Sequence, residues 1–165
     1  MLDERFAREF AERYVDAWNS HDAEQIEPLV TPDVVWLDPA LTEPARGVHE
    51  VKDFMRRSWV AFPDLRFSSG PLWVEPHGDS MTWAWRMEGT HRGTIDPPGF
   101  AATGKRIDLD GIDVWDFAGG RLERYRAYYD MATLARQIGA MPTPGSAGER
   151  VGVVLQRAQA RFARR

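Results

Sequence analysis

The chain has 165 residues, enough for one domain with a sizeable core, and 43% of them are hydrophobic, including 7 Trp, 8 Phe and 4 Tyr. The absence of cysteine excludes disulfides, thiolate metal sites and a cysteine nucleophile, and no apolar run approaches the roughly 20 residues of a membrane span. The net charge of −4 is uneven: Glu149 to Arg165 holds five Arg and one Glu, which leaves −8 on residues 1–148, an acidic body unsuited to nucleic acid.

The first residues are charged and lack the apolar segment of a signal peptide, so a cytoplasmic protein is expected. Residues 3–19 read as a helix, with Phe6, Phe10 and Tyr14 at i, i+4 and i+8 and Trp18 extending the stripe. A short second helix follows over 23–30, after the break at Asn19-Ser-His-Asp22. Residues 34–38 form a short strand that ends at Pro39. A third helix spans 48–62, with Val51, Phe54, Met55, Trp59 and Phe62 on its inner face, and Pro63 stops it.

From there the pattern turns to strands, over 65–68, 72–75, 81–91, 105–117 and 122–129, with hairpin signals at His77-Gly-Asp79 and Ala118-Gly-Gly120. Asp96-Pro-Pro-Gly99 falls in a longer connection, and 131–138 forms a helical turn. Helices first and an antiparallel meander after them predict an α+β domain, helices packed on one sheet face, over residues 1–141. Residues 142–148 have the Pro/Gly/Ser composition of a linker. Residues 149–165 predict an amphipathic helix whose stripe of Val151, Val154, Leu155, Ala158 and Phe162 needs burial against the body or a partner.

One residue breaks the apolar pattern of the fourth of these strands. Alternation puts Ile107, Leu109, Gly111, Trp115 and Phe117 on one face, and Asp113 falls among them, while Asp108, Asp110 and Asp116 take the other. A carboxyl in apolar surroundings is costly as an anion, so it is either paired or held protonated as a donor. Ile112 and Val114, on the opposite face, need cover of their own, and a homodimer is expected there. His21, His49, His77 and His91 are scattered without metal-ligand spacing, and no dinucleotide loop, phosphate loop or nucleophile elbow occurs. Carboxylates, a tyrosine and an arginine among aromatics remain. These suit acid–base chemistry without metal or cofactor.

The order of elements, with Tyr14-Val-Asp-Ala-Trp-Asn-Ser-His-Asp22, Gly47-Val-His-Glu-Val-Lys-Asp-Phe54, Phe62-Pro-Asp-Leu65, Gly89-Thr-His-Arg-Gly93, Ala102-Thr-Gly-Lys105 and the segment Asp130 to Gly139, resembles the nuclear transport factor 2-like superfamily. Within it the chain is most similar to the SnoaL-like polyketide cyclases, over residues 6–139. The resemblance implies a cone of curved sheet around helices, with a pocket inside. It also implies pairing through the outer sheet face.

Two catalytic sets follow from the resemblance. Likeness to ketosteroid isomerase, a worked example of a neutral carboxyl donor, implies Asp38 as base with Tyr14 and a protonated Asp113 as donors to an enolate oxygen. Likeness to the cyclases and to limonene epoxide hydrolase implies Asp130 as acid or base, with Arg86 and Glu88 in place of the hydrolase's Arg-x-Asp pair. The cyclases' strand histidine has no counterpart here, Trp115 or Asp116 standing there. Trp36 and Asp38 stand where the hydrolase positions its water.

The strand over 81–91 separates the sets. If Trp83, Trp85 and Met87 face inward, Arg86 and Glu88 face away; the reverse favours the Arg-bridged site. Trp36, Trp83, Trp85 and Tyr129 are candidate apolar walls, and His91 a candidate at the pocket mouth. The function expected is an isomerase or cyclase on a hydrophobic carbonyl compound, with Asp38 or Asp130 as base. An epoxide-opening enzyme is the alternative, and a non-catalytic binding or dimerisation module is a third.

Overall fold

The computed structural model describes residues 2–76 and 78–162, so His77 of the first hairpin signal and the last three residues of the final helix lie outside the described residues. The first helix, α1 (Glu4–Ser20), is capped by Asp3, whose side chain accepts the Phe6 amide at 2.7 Å. It turns Phe10, Tyr14 and Trp18 into the core and ends at His21, which adopts a left-handed φ of 57°. The second predicted helix is a 3-10 turn, Ala23–Leu29, started by the Asp22 side chain on the Glu24 amide. Pro28, which lacks an amide hydrogen, sits near its end.

Strand β1 (Val30–Leu37) pairs with a two-residue strand β2 (Ala45–Arg46) that the sequence does not signal. Helix α2 (Gly47–Ala61) follows directly and buries Val51, Met55 and Trp59. Three antiparallel hairpins then run through β3 (Arg66–Val74), β4 (Ser80–Thr90), β5 (Arg106–Ala118) and β6 (Arg121–Tyr129). Two strands expected at 65–68 and 72–75 are a single β3. A register shift between Ser69 and Leu72 accommodates Gly70 and Pro71 there. At Gly70 an added Cβ would lie 2.8 Å from the Ala84 carbonyl oxygen, so the bulge needs a residue without a side chain.

The sheet is curved and unclosed, with strand order β2-β1-β6-β5-β4-β3. The α+β architecture expected from the sequence is therefore present, with one addition: β1 runs parallel to β6. The core lies between the helices and one sheet face. Met81, Trp83 and Trp85 of β4 are buried there with Ile107, Leu109, Trp115 and Phe117 of β5. Asn19 fastens α1 to β3 through both arms of its amide, donating to the Phe67 carbonyl at 2.9 Å and accepting its amide at 2.8 Å.

After β6 come α3 (Met131–Ile138) and α4 (Ala147–Phe162). The last helix begins inside the stretch expected to be a linker. The expectation that its stripe packs on the body is corrected: α4 buries none of its residues, and Val151, Val154, Leu155 and Phe162 are exposed. Removing residues 142–165 is therefore expected to leave the thermal midpoint of the body unchanged, as read by calorimetry on the truncated chain. Among the described residues no helix is long and apolar enough to cross a membrane.

Candidate active site

A cavity of about 220 Å³ opens between the sheet, α2 and α3. Its walls are mostly apolar, with Trp18, Phe54, Phe62, Phe67, Met87, Leu134 and Ile138 among them. The polar groups are few: Asp38, Tyr125 and Tyr129 on the sheet side, with Arg57, Ser58 and Asp96 also in the lining. Sparse polar groups in an apolar concavity are the usual make-up of a small-molecule site.

Asp38 sits just past β1, where Pro39 ends the strand. Its Oδ1 accepts the Tyr129 hydroxyl at 2.8 Å and the Ala40 amide at 2.8 Å. Among the described residues no donor reaches Oδ2. Burial raises the Asp38 pKa above the usual carboxylate value, against the pull of those two hydrogen bonds. Burial, then the Asp38 charge, raises Tyr129 well above the ordinary tyrosine value.

Asp113 is buried, 1% exposed, with no basic partner among the described residues. Its Oδ1 meets two neutral donors, the Trp85 indole Nε1 at 2.7 Å and the Tyr125 hydroxyl at 3.2 Å. Burial drives its pKa well above 3.8, and the charge of nearby Asp38 adds to the shift. A shift in this direction is what its place on an apolar face implies. Strand register explains the partners. Asp113 stands across from Trp83 and Ala127; Trp85 and Tyr125 occupy the neighbouring rungs.

The structure thus gathers Asp38, Asp113 and Tyr14 into one electrostatic cluster, but only Asp38 of the three lines the cavity. Tyr14 lies in an aromatic stack, 4.7 Å from the Trp115 ring and 6.1 Å from the Trp36 ring. Burial, then Asp113, raises its pKa well above 10.0. Trp36 and Trp83, expected as cavity walls, are fully buried in the same stack and do not line the cavity. Trp85 and Tyr129 do line it.

The remaining candidates lie elsewhere. The Trp/Met face of β4 points inward, so Arg86 faces out, its side chain 52% exposed and its Nε donating to Asp108 at 2.7 Å. Glu88 lies 3.9 Å from both Arg86 and Arg106 on that outer face. Asp130 is exposed and caps α3, accepting the Ala132 amide at 2.8 Å and the Thr133 hydroxyl at 2.6 Å. Asp130→Ala is expected to cost about 1 kcal/mol of stability, measured by denaturant unfolding, with no loss of turnover. His91 is not at the mouth. It is buried against Phe62, with Nδ1 at 3.1 Å from the Thr103 hydroxyl, and burial lowers its pKa.

Tyr125 escapes the sequence reading, although alternation along β6 places it, Ala127 and Tyr129 on one face. Its ring stacks on Trp36 at 3.7 Å while its hydroxyl reaches Asp113. Among the described residues no cluster of three His, Asp or Glu side chains is placed to hold a metal ion.

Comparison with known proteins agrees with this architecture. No curated protein matches the chain. TsrD from Streptomyces laurentii is 26% identical, with a TM-score of 0.74 over 86% of this chain and 100% of its own. AclR, a putative hydroxylase from Streptomyces galilaeus, is 20% identical and superposes with a TM-score of 0.70 over 96% of each chain. A protein of ketosteroid isomerase-like fold from Catenulispora acidiphila, at 16% identity, superposes with a TM-score of 0.68 over 82% of this chain and 98% of its own. The SnoaL-like polyketide cyclase model matches residues 8–138. With most of its length accounted for by that model, and its helices and curved sheet enclosing an acid-bearing cavity, the chain belongs to the SnoaL-like polyketide cyclase family.

Proposed function

We propose that the chain is a cofactor-free acid–base enzyme, an isomerase or cyclase that acts on a hydrophobic carbonyl compound through an enolate. The observation that carries this reading is Asp38, a half-buried carboxyl with one oxygen that no donor among the described residues reaches, in a mostly apolar cavity. Oδ2 takes a proton from the carbon beside the carbonyl, while Tyr129 and the Ala40 amide hold the carboxyl in place through Oδ1. The base works above its raised pKa, where a carboxylate in apolar surroundings is a stronger proton acceptor than one in water.

The enolate oxygen requires a donor, and Tyr125 is the phenol in the lining that is free of Asp38. The Tyr125 hydroxyl donates to Asp113 Oδ1 at 3.2 Å, and turning that hydrogen to the enolate oxygen supplies the donor. Trp85 donates to the same carboxyl, and Tyr14 stands behind the pair. Linked donors of this kind polarise one another where water is excluded.

The geometry favours this set over the epoxide-opening one, whose Asp130, Arg86 and Glu88 stand outside the cavity. Of the third reading, a non-catalytic ligand-binding or dimerisation module, the open cavity weighs against the dimerisation form alone. The test is exchange of the carbon-bound hydrogens beside the carbonyl of 1-tetralone in heavy water, followed by NMR. Wild-type protein should speed the exchange and Asp38→Asn should not; equal rates in both would refute the reading.

A cytoplasmic homodimer completes the proposal. Trp73, Ile112 and Tyr128 are exposed on the sheet at 55%, 42% and 58%, an apolar surface suited to a second copy. Sedimentation at micromolar concentration should give a dimer, and Ile112→Glu should give monomer.

A further inference from the structure

Gly111 lies at the point where the sheet meets the cavity. It pairs with Trp85 on β4 and with Tyr129 on β6, and both of these line the cavity. A Cβ added at Gly111 would fall 2.2 Å from Trp85 Cζ2, 2.3 Å from Cη2 and 2.7 Å from Cε2. Its φ is not in the left-handed region, so the need for glycine is one of space and not of backbone shape. The indole occupies the place where a side chain of β5 would stand. Side chains on a strand normally rise from the sheet; here a two-ring group is laid across the neighbouring strand. At one edge Nε1 is hydrogen-bonded to Asp113, and the rings of Phe67 and Tyr129 pack at 5.4 Å and 5.7 Å.

We propose that Gly111 and Asp113 form a seat that holds the Trp85 indole down on β5, and that this seat sets the largest ligand the cavity accepts. Gly111 is the specificity-determining residue. Asp113 is a positioning residue that acts through Trp85. Any side chain at Gly111 must displace the indole, and the cavity that Trp85 already lines gives it room, with Phe67 packed at 5.4 Å on another side. The free volume is small, about 220 Å³, so an indole displaced into it excludes multi-ring ligands and leaves room for single rings. Conversely, a smaller ring at Trp85 deepens the cavity. The inference rests on the cavity being the ligand site, as proposed above, but not on Asp38 being the base.

The experiment measures affinity for three ketones of rising size, cyclohexanone, 1-tetralone and 1-oxo-1,2,3,4-tetrahydrophenanthrene, through quenching of tryptophan fluorescence. Wild-type protein should bind the three-ring ketone more tightly than cyclohexanone. Gly111→Ala should weaken the three-ring ketone at least about tenfold and leave cyclohexanone nearly unchanged. Adding Trp85→Phe to Gly111→Ala should restore the large ligand. Asp113→Asn, which keeps an acceptor for the indole, should preserve the wild-type size preference; Asp113→Leu should not. Parallel changes for all three ketones in Gly111→Ala, or no rescue by Trp85→Phe, would overturn the proposal. Should Gly111→Ala fail to fold, Trp85→Phe alone decides: a ratio of affinities moved toward the large ketone supports the seat, and an unmoved ratio overturns it. Size preference is read without turnover, so loss of hydrogen exchange in Asp38→Asn bears on the acid–base reading alone.

Discussion

Asp38→Asn should lower turnover by about two to four orders of magnitude, the range over which a positioned general base contributes. The amide preserves the volume of the carboxyl and keeps an oxygen for the Tyr129 hydroxyl and the Ala40 amide, so the cavity stays intact while the base is lost. Ligand affinity should change little, which separates loss of chemistry from loss of binding. The wild-type pH profile carries a second signature. Because burial raises the Asp38 pKa, the carboxylate form is reached only above the ordinary carboxylate range, and turnover should climb on the acid side with that raised value. In Asp38→Asn the acid limb should disappear together with the rate. Arg86→Gln on the outer face provides the control: it removes the ion pair with Asp108 and should leave turnover unchanged.

Asp113 should make stability depend on pH. Its pKa is raised in the folded protein relative to the unfolded chain, so the folded state holds the proton to higher pH. Above the unfolded carboxylate pKa, near 4, the unfolded chain binds fewer protons than the folded one, and stability falls as pH rises until the folded pKa is passed. Each unit of that difference is about 1.4 kcal/mol. Asp113→Asn removes the titration while keeping an oxygen for the Trp85 and Tyr125 donors. Denaturant unfolding across pH should find this variant more stable than wild type at neutral pH, with the advantage shrinking toward pH 4. Asp113→Ala should behave oppositely. It opens a void and strands two buried donors, each costing about 1–3 kcal/mol, and so it should destabilise at every pH. A depressed carboxyl pKa by NMR titration would contradict the expectation for Asp113→Asn.

The fold and part of this site were legible because strand alternation is a local property. Period two put Asp113 with Ile107, Leu109 and Trp115, and it tied the fate of Trp85 to that of Arg86. The same rule also contained a warning about the last strand: where Tyr129 points inward, the next residue leaves the inner face, so Tyr129 and Asp130 could not both line one cavity. A carboxylate before a helix reads the same whether it is a base or a cap, and only the path of the chain decides. Tyr14 and Trp36 were illegible for another reason. Their helix and strand do face the interior, but the layer of Trp115, Tyr125 and Trp83 fills the space around them. Side-chain depth is a property of packing and not of pattern. The cavity walls supplied by α3 and by the 95–100 connection come from segments distant in sequence, which no local period could place.

The parallel pairing of β1 with β6 also governs when the site can exist. β6 is inserted between β1 and β5, so the middle of the sheet is supplied by almost the last part of the body to leave the ribosome. The hydrogen bond from Tyr129 to Asp38 spans 91 residues of chain. Until β6 arrives, β1 has only the two-residue β2 for a neighbour, and a long stretch of its backbone waits unpaired. Closure over such a distance is entropically costly and comes late, in the manner of folds dominated by non-local contacts. A nascent chain stopped before Arg121 would therefore hold every residue of the Asp38 turn and no functioning site, and its unpaired β1 and β5 edges would be open to aggregation during synthesis.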